Sequence, residues 1–405
     1  MRQFTSAAFA AAFVAMAACD NQTTTPSSSA KAGGAQNGTP GFAVAAATAN
    51  ADRDQSGEGS GAVFVTTNAV SGNTVVAFSR NAHGSLVLRG AYSTGGTGTG
   101  GTVDPLASEF AVILSNDNHN LYVVNAGSGS ISSFAVANDG ALQLLGTAGS
   151  RGAMPVSLAT SAHRLFVLNA GDNSVAGFSV GDNGALHPIT GSRITLGGAA
   201  DGPSTINVSH DGRYLFVTQR VANAIDVIAV GDGGTLRFVT RQHSSGSTPF
   251  GFAVTNRDQL VVSEAAGDAP NGAVSSYSLS HDGSLRLVSG SVSTHQGATC
   301  WLILSTNGQY AFAANAGSGS ITGYAVGEDG SLRILTANGR TGITSDPTAA
   351  PLDMGTSRNG RFLYVLEGHA GAIGAFAVGA DGHLSALADT PGLAPSSGLQ
   401  GLAAF

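Results

Sequence analysis

The stretch Asn120-Leu-Tyr-Val-Val-Asn125-Ala-Gly-Ser-Gly-Ser-Ile131 returns almost letter for letter as Tyr310-Ala-Phe-Ala-Ala-Asn315-Ala-Gly-Ser-Gly-Ser-Ile321. Each copy is an apolar run, one polar residue, a turn of small residues and a second apolar run. That is the pattern of two strands joined by a tight turn. Looser copies are Leu165-Phe-Val-Leu-Asn169, Leu215-Phe-Val-Thr-Gln219, Leu260-Val-Val-Ser-Glu264, Leu363-Tyr-Val-Leu-Glu367 and Val63-Phe-Val-Thr-Thr-Asn68. The polar residue ending the run therefore recurs as Asn68, Asn125, Asn169, Gln219, Glu264, Asn315 and Glu367, at spacings of 44 to 57 residues. Seven copies at this period describe a repeat architecture rather than the two or three domains that 405 residues would otherwise suggest.

Working outward, each copy parses into four strands. A small, apolar first strand such as Val156-Ser-Leu-Ala-Thr or Phe250-Gly-Phe-Ala-Val254 leads into a turn such as Ser209-His-Asp-Gly212. The second strand is the run quoted above. The third is of the type Ile131-Ser-Ser-Phe-Ala-Val136, and an Asp-Gly turn (Asp139-Gly140, Asp282-Gly283, Asp329-Gly330, Asp381-Gly382) leads to a fourth such as Leu285-Arg-Leu-Val288. Asp-Gly and Asn-Gly pairs supply the positive φ that tight hairpins need. The expected fold is all-β: a seven-bladed β-propeller of four-stranded antiparallel blades.

The ends predict how the ring closes. The first copy begins at its second strand, near Ala62, whereas the chain stops at Gly401-Leu-Ala-Ala-Phe405, a first strand with no second strand after it. Pairing the two completes blade one and removes two open sheet edges. The alternative is that Phe42 to Ala47 supplies blade one's inner strand.

Composition agrees. Glycine numbers 58 of 405 residues and 42% of the chain is apolar, which suits many short strands joined by turns. Charged residues are only 11%, the net charge is -7, and no cluster gathers the 18 basic residues, so no nucleic-acid partner is expected. The start reads as a targeting signal. Arg2 precedes an apolar stretch from Phe4 to Met16, too short for a comfortable membrane span. Met16-Ala17-Ala18-Cys19 then resembles a bacterial lipobox, which implies cleavage before Cys19 and lipid on its sulfur. The expected organisation is a signal peptide over 1–18, a flexible low-complexity tether over 19–60 and the propeller over 61–405. The protein is expected to be a monomer, anchored to the membrane through Cys19 on the periplasmic side of the cell envelope. With Cys19 lipidated, Cys300 is left alone and no intrachain disulfide is expected.

From about Gly61 to Phe405 the chain resembles the lactonase-type seven-bladed propellers, which include 6-phosphogluconolactonases and carboxymuconate-cyclising enzymes. The features that carry the resemblance are Ser209-His-Asp-Gly-Arg-Tyr-Leu-Phe-Val217, the Asn-Ala-Gly turns, the Asp-Gly-x-Leu hairpins and the late start matched by the Gly-Leu ending. It implies a carboxylic ester hydrolase or muconate-cyclase-like enzyme acting on a lactone. The alternative is a non-catalytic binding or scaffold propeller. The chain lacks the His-rich inner-strand start and the Asp-Leu-Gly-x-Asp second-strand ending associated with sugar-lactone hydrolases. It carries Gly202-Pro-Ser-Thr-Ile and Gln219-Arg220 instead, which weighs against a phosphorylated sugar lactone.

Topology places the candidate chemistry. The second-to-third turns and the links between blades share one face, here the top, whereas the Asp-Gly turns lie on the bottom, where only turn chemistry is expected. Asp104, Asp201, Asp346, Asp353 and His369 belong to the top face. So do the five residues singled out as catalytic candidates: His243, Glu264, His295, Arg151 and Arg220. A lactonase needs a group that moves a proton and donors for the carbonyl oxygen, roles that His, Glu and Arg fill. A small-molecule ligand, anionic in character, is expected there. No cofactor and no metal are expected, because no His/Cys spacing suggests zinc and Gly95 to Gly101 lacks the Lys-Ser/Thr of a phosphate loop.

Overall fold

A computed structural model describes residues 60–267 and 269–405. Seven antiparallel sheets form seven blades, and blades two to seven each run in chain order from an inner to an outer strand. The six inner strands are Val112–Leu114, Pro155–Ser161, Pro203–Val208, Pro249–Val254, Thr299–Leu304 and Pro351–Thr356. Blade one takes its inner strand from the far end of the chain. Gln400–Ala404 lies antiparallel to Gly61–Thr66, with Val63 opposite Ala404 and Val65 opposite Leu402. The predicted closure is therefore present. The alternative donor, 42–47, lies outside the described residues, as do the signal, the tether and Cys19.

Blades pack face to face, so the middle strands are buried on both sides. Asn120–Asn125 and Ser130–Val136 are buried over most of their length, whereas the outer Leu142–Gly149 is mostly solvated after Leu142. Each third strand buries one large apolar side chain at the same position, an aromatic in six blades and Ile228 in blade four. Phe78, Phe134, Phe178, Tyr277, Tyr324 and Phe376 are all buried between blades, each contributing roughly 1.5–3 kcal/mol by leaving water. On the bottom, Gly140 and Gly283 turn their hairpins at φ of +81° and +87°, a region closed to most side chains.

One irregularity repeats and positions the site. Just past their first residue, the inner strands of blades three to seven break register, as between Pro249 and Phe252, Thr299 and Leu302, and Pro351 and Met354. A bulge of this kind re-aims the residues inside it. Gly251, Trp301 and Asp353 sit in these bulges. Blade two departs from the pattern. Its inner strand has only three residues, because the chain ahead of it, 104–110, leaves the sheet and enters the axial channel.

Candidate functional site

The segment 104–110 forms a plug that ties together strands from around the ring. The Ser108 hydroxyl donates to Val156 O at 2.9 Å in blade three, and the Ser204 hydroxyl of blade four donates to Ala107 O at 2.9 Å. Ser108 O accepts Trp301 Nε1 of blade six at 3.0 Å and Gln400 Nε2 of blade one at 3.2 Å. Leu158 N reaches Phe110 O at 3.0 Å. The inner edges of seven sheets present unpaired peptide groups toward the axis, and the plug satisfies several of them. Its backbone is strained to do so: Asp104, Ala107 and Phe110 hold φ of +44°, +48° and +65°.

The plug brings two carboxyls to the axis, where a third meets them. Asp104 accepts Gln400 Nε2 at 3.1 Å, and Glu109 accepts Leu302 N at 2.9 Å. Asp353 accepts Gly401 N at 3.0 Å. All three are buried. Burial pushes the Asp104 and Glu109 carboxyls well above the usual range, and the neighbouring Asp353 adds to the push on both. The Gln400 amide and the Arg220 guanidinium pull Asp104 back in part. Burial raises Asp353 to about 7 against the N–H groups of Gly401 and Phe110. Space for Glu109 depends on Gly251, where an added Cβ would stand 2.3 Å from Glu109 Oε2. Beside the cluster, Phe250 and Trp301 meet edge to face at 5.2 Å, and Arg220 lies over Phe250 at 5.9 Å.

Of the five predicted site residues, Arg220 belongs to this axial cluster. Glu264 is buried inside blade five, where its carboxylate accepts Gly246 N at 2.7 Å and the Ser275 hydroxyl. His243 ends the outer strand of blade four and is exposed. His295 is exposed just beyond the outer strand of blade five, its Nδ1 3.4 Å from the Ser293 hydroxyl. Arg151 is exposed beyond the outer strand of blade two and donates to Ile189 O at 3.1 Å. Of the other top-face residues, Asp201 joins an ion-pair network in which Arg241 binds it at 3.0 Å and Asp226 at 2.6 Å, and Gln219 donates to Asp226 at 2.9 Å. His369 Nδ1 lies 2.9 Å from Thr348 O. Cys300 is fully buried in the inner strand of blade six. Among the described residues, no group of three His, Cys, Asp or Glu is arranged to hold a metal ion.

Glu109 was not singled out in the sequence. Its signal was its position. It stands where the later blades carry Pro155, Pro203, Pro249, Thr299 and Pro351, the residues that open their inner strands.

The fold and its axial site define a seven-bladed β-propeller whose channel is closed by one of its own links and lined there by acids. The chain belongs to the lactonase family of seven-bladed β-propellers, whose model matches residues 62–199, 193–266 and 261–351. No curated protein sequence matches it. Among solved structures, it is similar to a putative 6-phosphogluconolactonase from Bacteroides fragilis, at 20% identity over 87% of this chain and 99% of that one, with a TM-score of 0.65. It is also similar to the periplasmic gluconolactonase of Pseudomonas aeruginosa, at 20% identity over 84% and 98%, TM-score 0.63. A Lactobacillus plantarum protein aligns at 17% identity over 85% and 99%, TM-score 0.67. At these identities the likeness is one of fold.

Proposed function

We propose that this lactonase-family propeller acts on a small anionic ligand at its top face, and that its reaction is the opening or closure of a lactone ring. The observation that carries the reading is the axial carboxyl of Asp353, held near 7. A group with that pKa takes up and returns a proton at physiological pH. In ring opening it takes the proton of the attacking water and returns it to the departing ring oxygen. Arg220, beside Asp104 in the same cluster, supplies the fixed positive charge for an anionic group. Family membership and the gluconolactonase among the similar structures support the substrate class.

The test is a panel of five- and six-membered lactones, neutral and charged, given to the purified full-length protein. Ring opening of at least one is expected, with kcat/KM climbing as pH rises through about 7. Asp353→Asn abolishes the climb, and Arg220→Gln raises KM for charged lactones. Inertness toward the whole panel, or wild-type behaviour of both variants, ends the enzymatic reading. One observation favours the scaffold alternative: the plug already engages Asp104 and Glu109 in bonds that hold the ring together.

For placement, we propose a monomer held at the cell envelope by lipid on Cys19. The chain has two cysteines, Cys19 and Cys300, and a disulfide between them and a thioether at Cys19 exclude each other. Intact mass of the protein from its membrane fraction decides. A diacylglycerol adduct lost in Cys19→Ser supports the anchor, and an unlipidated chain that gains two hydrogens on reduction refutes it.

A further inference from the structure

The bottom face, expected to hold only turns, also holds a cavity of about 340 Å³ at the lower mouth of the axial channel. It lies between the inner strands of blades two to five. Phe110, the last residue of the plug, lines it, together with Leu158, Val208 and Val254. The volume is that of a small-molecule site. We infer that this mouth is a second binding site, separate from the top face, for a small uncharged hydroxylated ring of the monosaccharide or cyclitol class.

The lining chooses that class. No Asp, Glu, Lys or Arg side chain contributes to it, and His210 is its one titratable residue. A charged ligand would lose hydration there and meet no counter-charge. Polar groups are nonetheless plentiful. Asn116, Thr160 and Ser161 line the cavity, and their side chains have no hydrogen-bond partner in the protein. Asn207 Oδ1 accepts Val208 N at 2.8 Å, which leaves its NH₂ to donate. Hydroxyls and amides both give and accept hydrogen bonds, which suits a ligand whose own groups are hydroxyls. The apolar walls and the Phe110 ring suit the C–H faces of the same ring. An apolar body with a few convergent polar groups is the usual make-up of a small-ligand site. The arrangement follows from the fold. Above Phe110 the plug meets the inner strands with its own peptide and side-chain groups, and below Phe110 it no longer reaches them.

The test is saturation-transfer NMR on the full-length protein with glucose, galactose and myo-inositol as probes, and with gluconate and glucosamine as charged counterparts. At least one neutral probe is expected to bind saturably, and the charged counterparts are expected not to displace it. Thr160→Val is nearly isosteric and weakens binding about five- to tenfold, as the loss of one or two neutral hydrogen bonds requires. Asn207→Leu acts in the same direction and serves if the first variant fails to fold, as judged by its melting curve. Absence of saturable binding by all three neutral probes overturns the inference. So does equal binding of the charged counterparts, or full retention of affinity in both variants. Because Arg220 and Asp353 are not in this lining, loss of lactone turnover in their variants leaves the result untouched.

Discussion

Glu264 of blade five and Glu367 of blade seven occupy the same place in the repeat, at the end of the second strand and opposite the proline that opens the inner strand. Both are buried to about 1% exposure. Their surroundings differ. Glu264 takes an N–H from the link before its blade, at Gly246, and a hydroxyl from its third strand, at Ser275. Glu367 has neither, and both of its oxygens lack a hydrogen-bond partner. The third-strand position that carries Ser132 beside Asn125 and Thr322 beside Asn315 is Gly374 in blade seven. Burial therefore pushes the Glu367 carboxyl up to about 7, with Asp389 and Asp346 adding repulsion. A repeat specifies where a side chain stands, whereas its partner is specified by another strand, and the two vary independently. Glu109 is the intermediate case, with one hydrogen bond, from Leu302 N, against two at Glu264 and none at Glu367; in both Glu109 and Glu264 the Oε2 atom is buried without a partner.

The largest expected effect concerns that intermediate case. In Gly251→Ala the new Cβ would stand 2.3 Å from Glu109 Oε2 and 2.7 Å from Cys300 O. The carboxyl can move but the blade-six backbone cannot, so the plug and two blades are forced apart at a cost of about 3 kcal/mol in chemical denaturation. Next comes the direct contrast. Glu264→Ala strands the buried Ser275 hydroxyl and the partly buried Gly246 N–H and costs about 2 kcal/mol, whereas Glu367→Ala removes no hydrogen bond and costs clearly less. Equal losses in the two variants would break the comparison.

A third prediction uses pH. The Glu367 carboxyl rises from 4.5 to about 7 on folding and Asp353 from 3.8 to about 7. Between about pH 4 and 7 the native state therefore keeps protons that the unfolded chain has released. The stabilisation belonging to these two groups is complete below that window, declines as pH rises through it, and is flat above it. Melting temperatures across the window should fall less steeply in Glu367→Gln and in Asp353→Asn than in the wild type. An unchanged slope in Glu367→Gln would mean that its carboxyl has a partner after all.

These contrasts show what was legible in the sequence. Blade number, strand order and ring closure follow from local signals: the alternation of apolar residues, the Asp-Gly turns, and a first strand left over at Gly401 to Phe405. The site was legible only as a face. Arg220 and Asp353 were on that face and both lie beside Asp104 on the axis, but His243, His295 and Arg151 were placed there with no means of telling rim from axis. What separates the two is the bulge at the head of each inner strand and the departure of 104–110 from blade two. Neither has a local motif. The bulge is set by pairing with the next strand, and the plug by acceptors and donors that lie up to about 300 residues away in the chain, as between Asp104 and Gln400.

The smallest effect is the most specific test of the comparison. Gly374→Ser would give Glu367 the hydroxyl donor that Ser275 gives Glu264 in blade five. Gly374 is an ordinary strand residue paired with Val365, so the backbone permits a side chain. The added Cβ would approach Glu367 Oε1 at 2.6 Å and Val365 Cγ1 at 2.9 Å. The carboxyl is the end of a flexible chain and can swing to accept the new hydroxyl, but the valine methyl must also yield. A gain of about 1 kcal/mol from the hydrogen bond is thus opposed by crowding of similar size, and net stability at neutral pH should change by less than about 1 kcal/mol. The pH dependence has no such cancellation, because the crowding is the same at every pH. A hydrogen bond to the ionised form lowers the carboxyl's pKa, so the decline in melting temperature should end at a lower pH than in the wild type. If Gly374→Ser leaves that end-point in place, the missing hydroxyl is not what distinguishes blade seven from blade five.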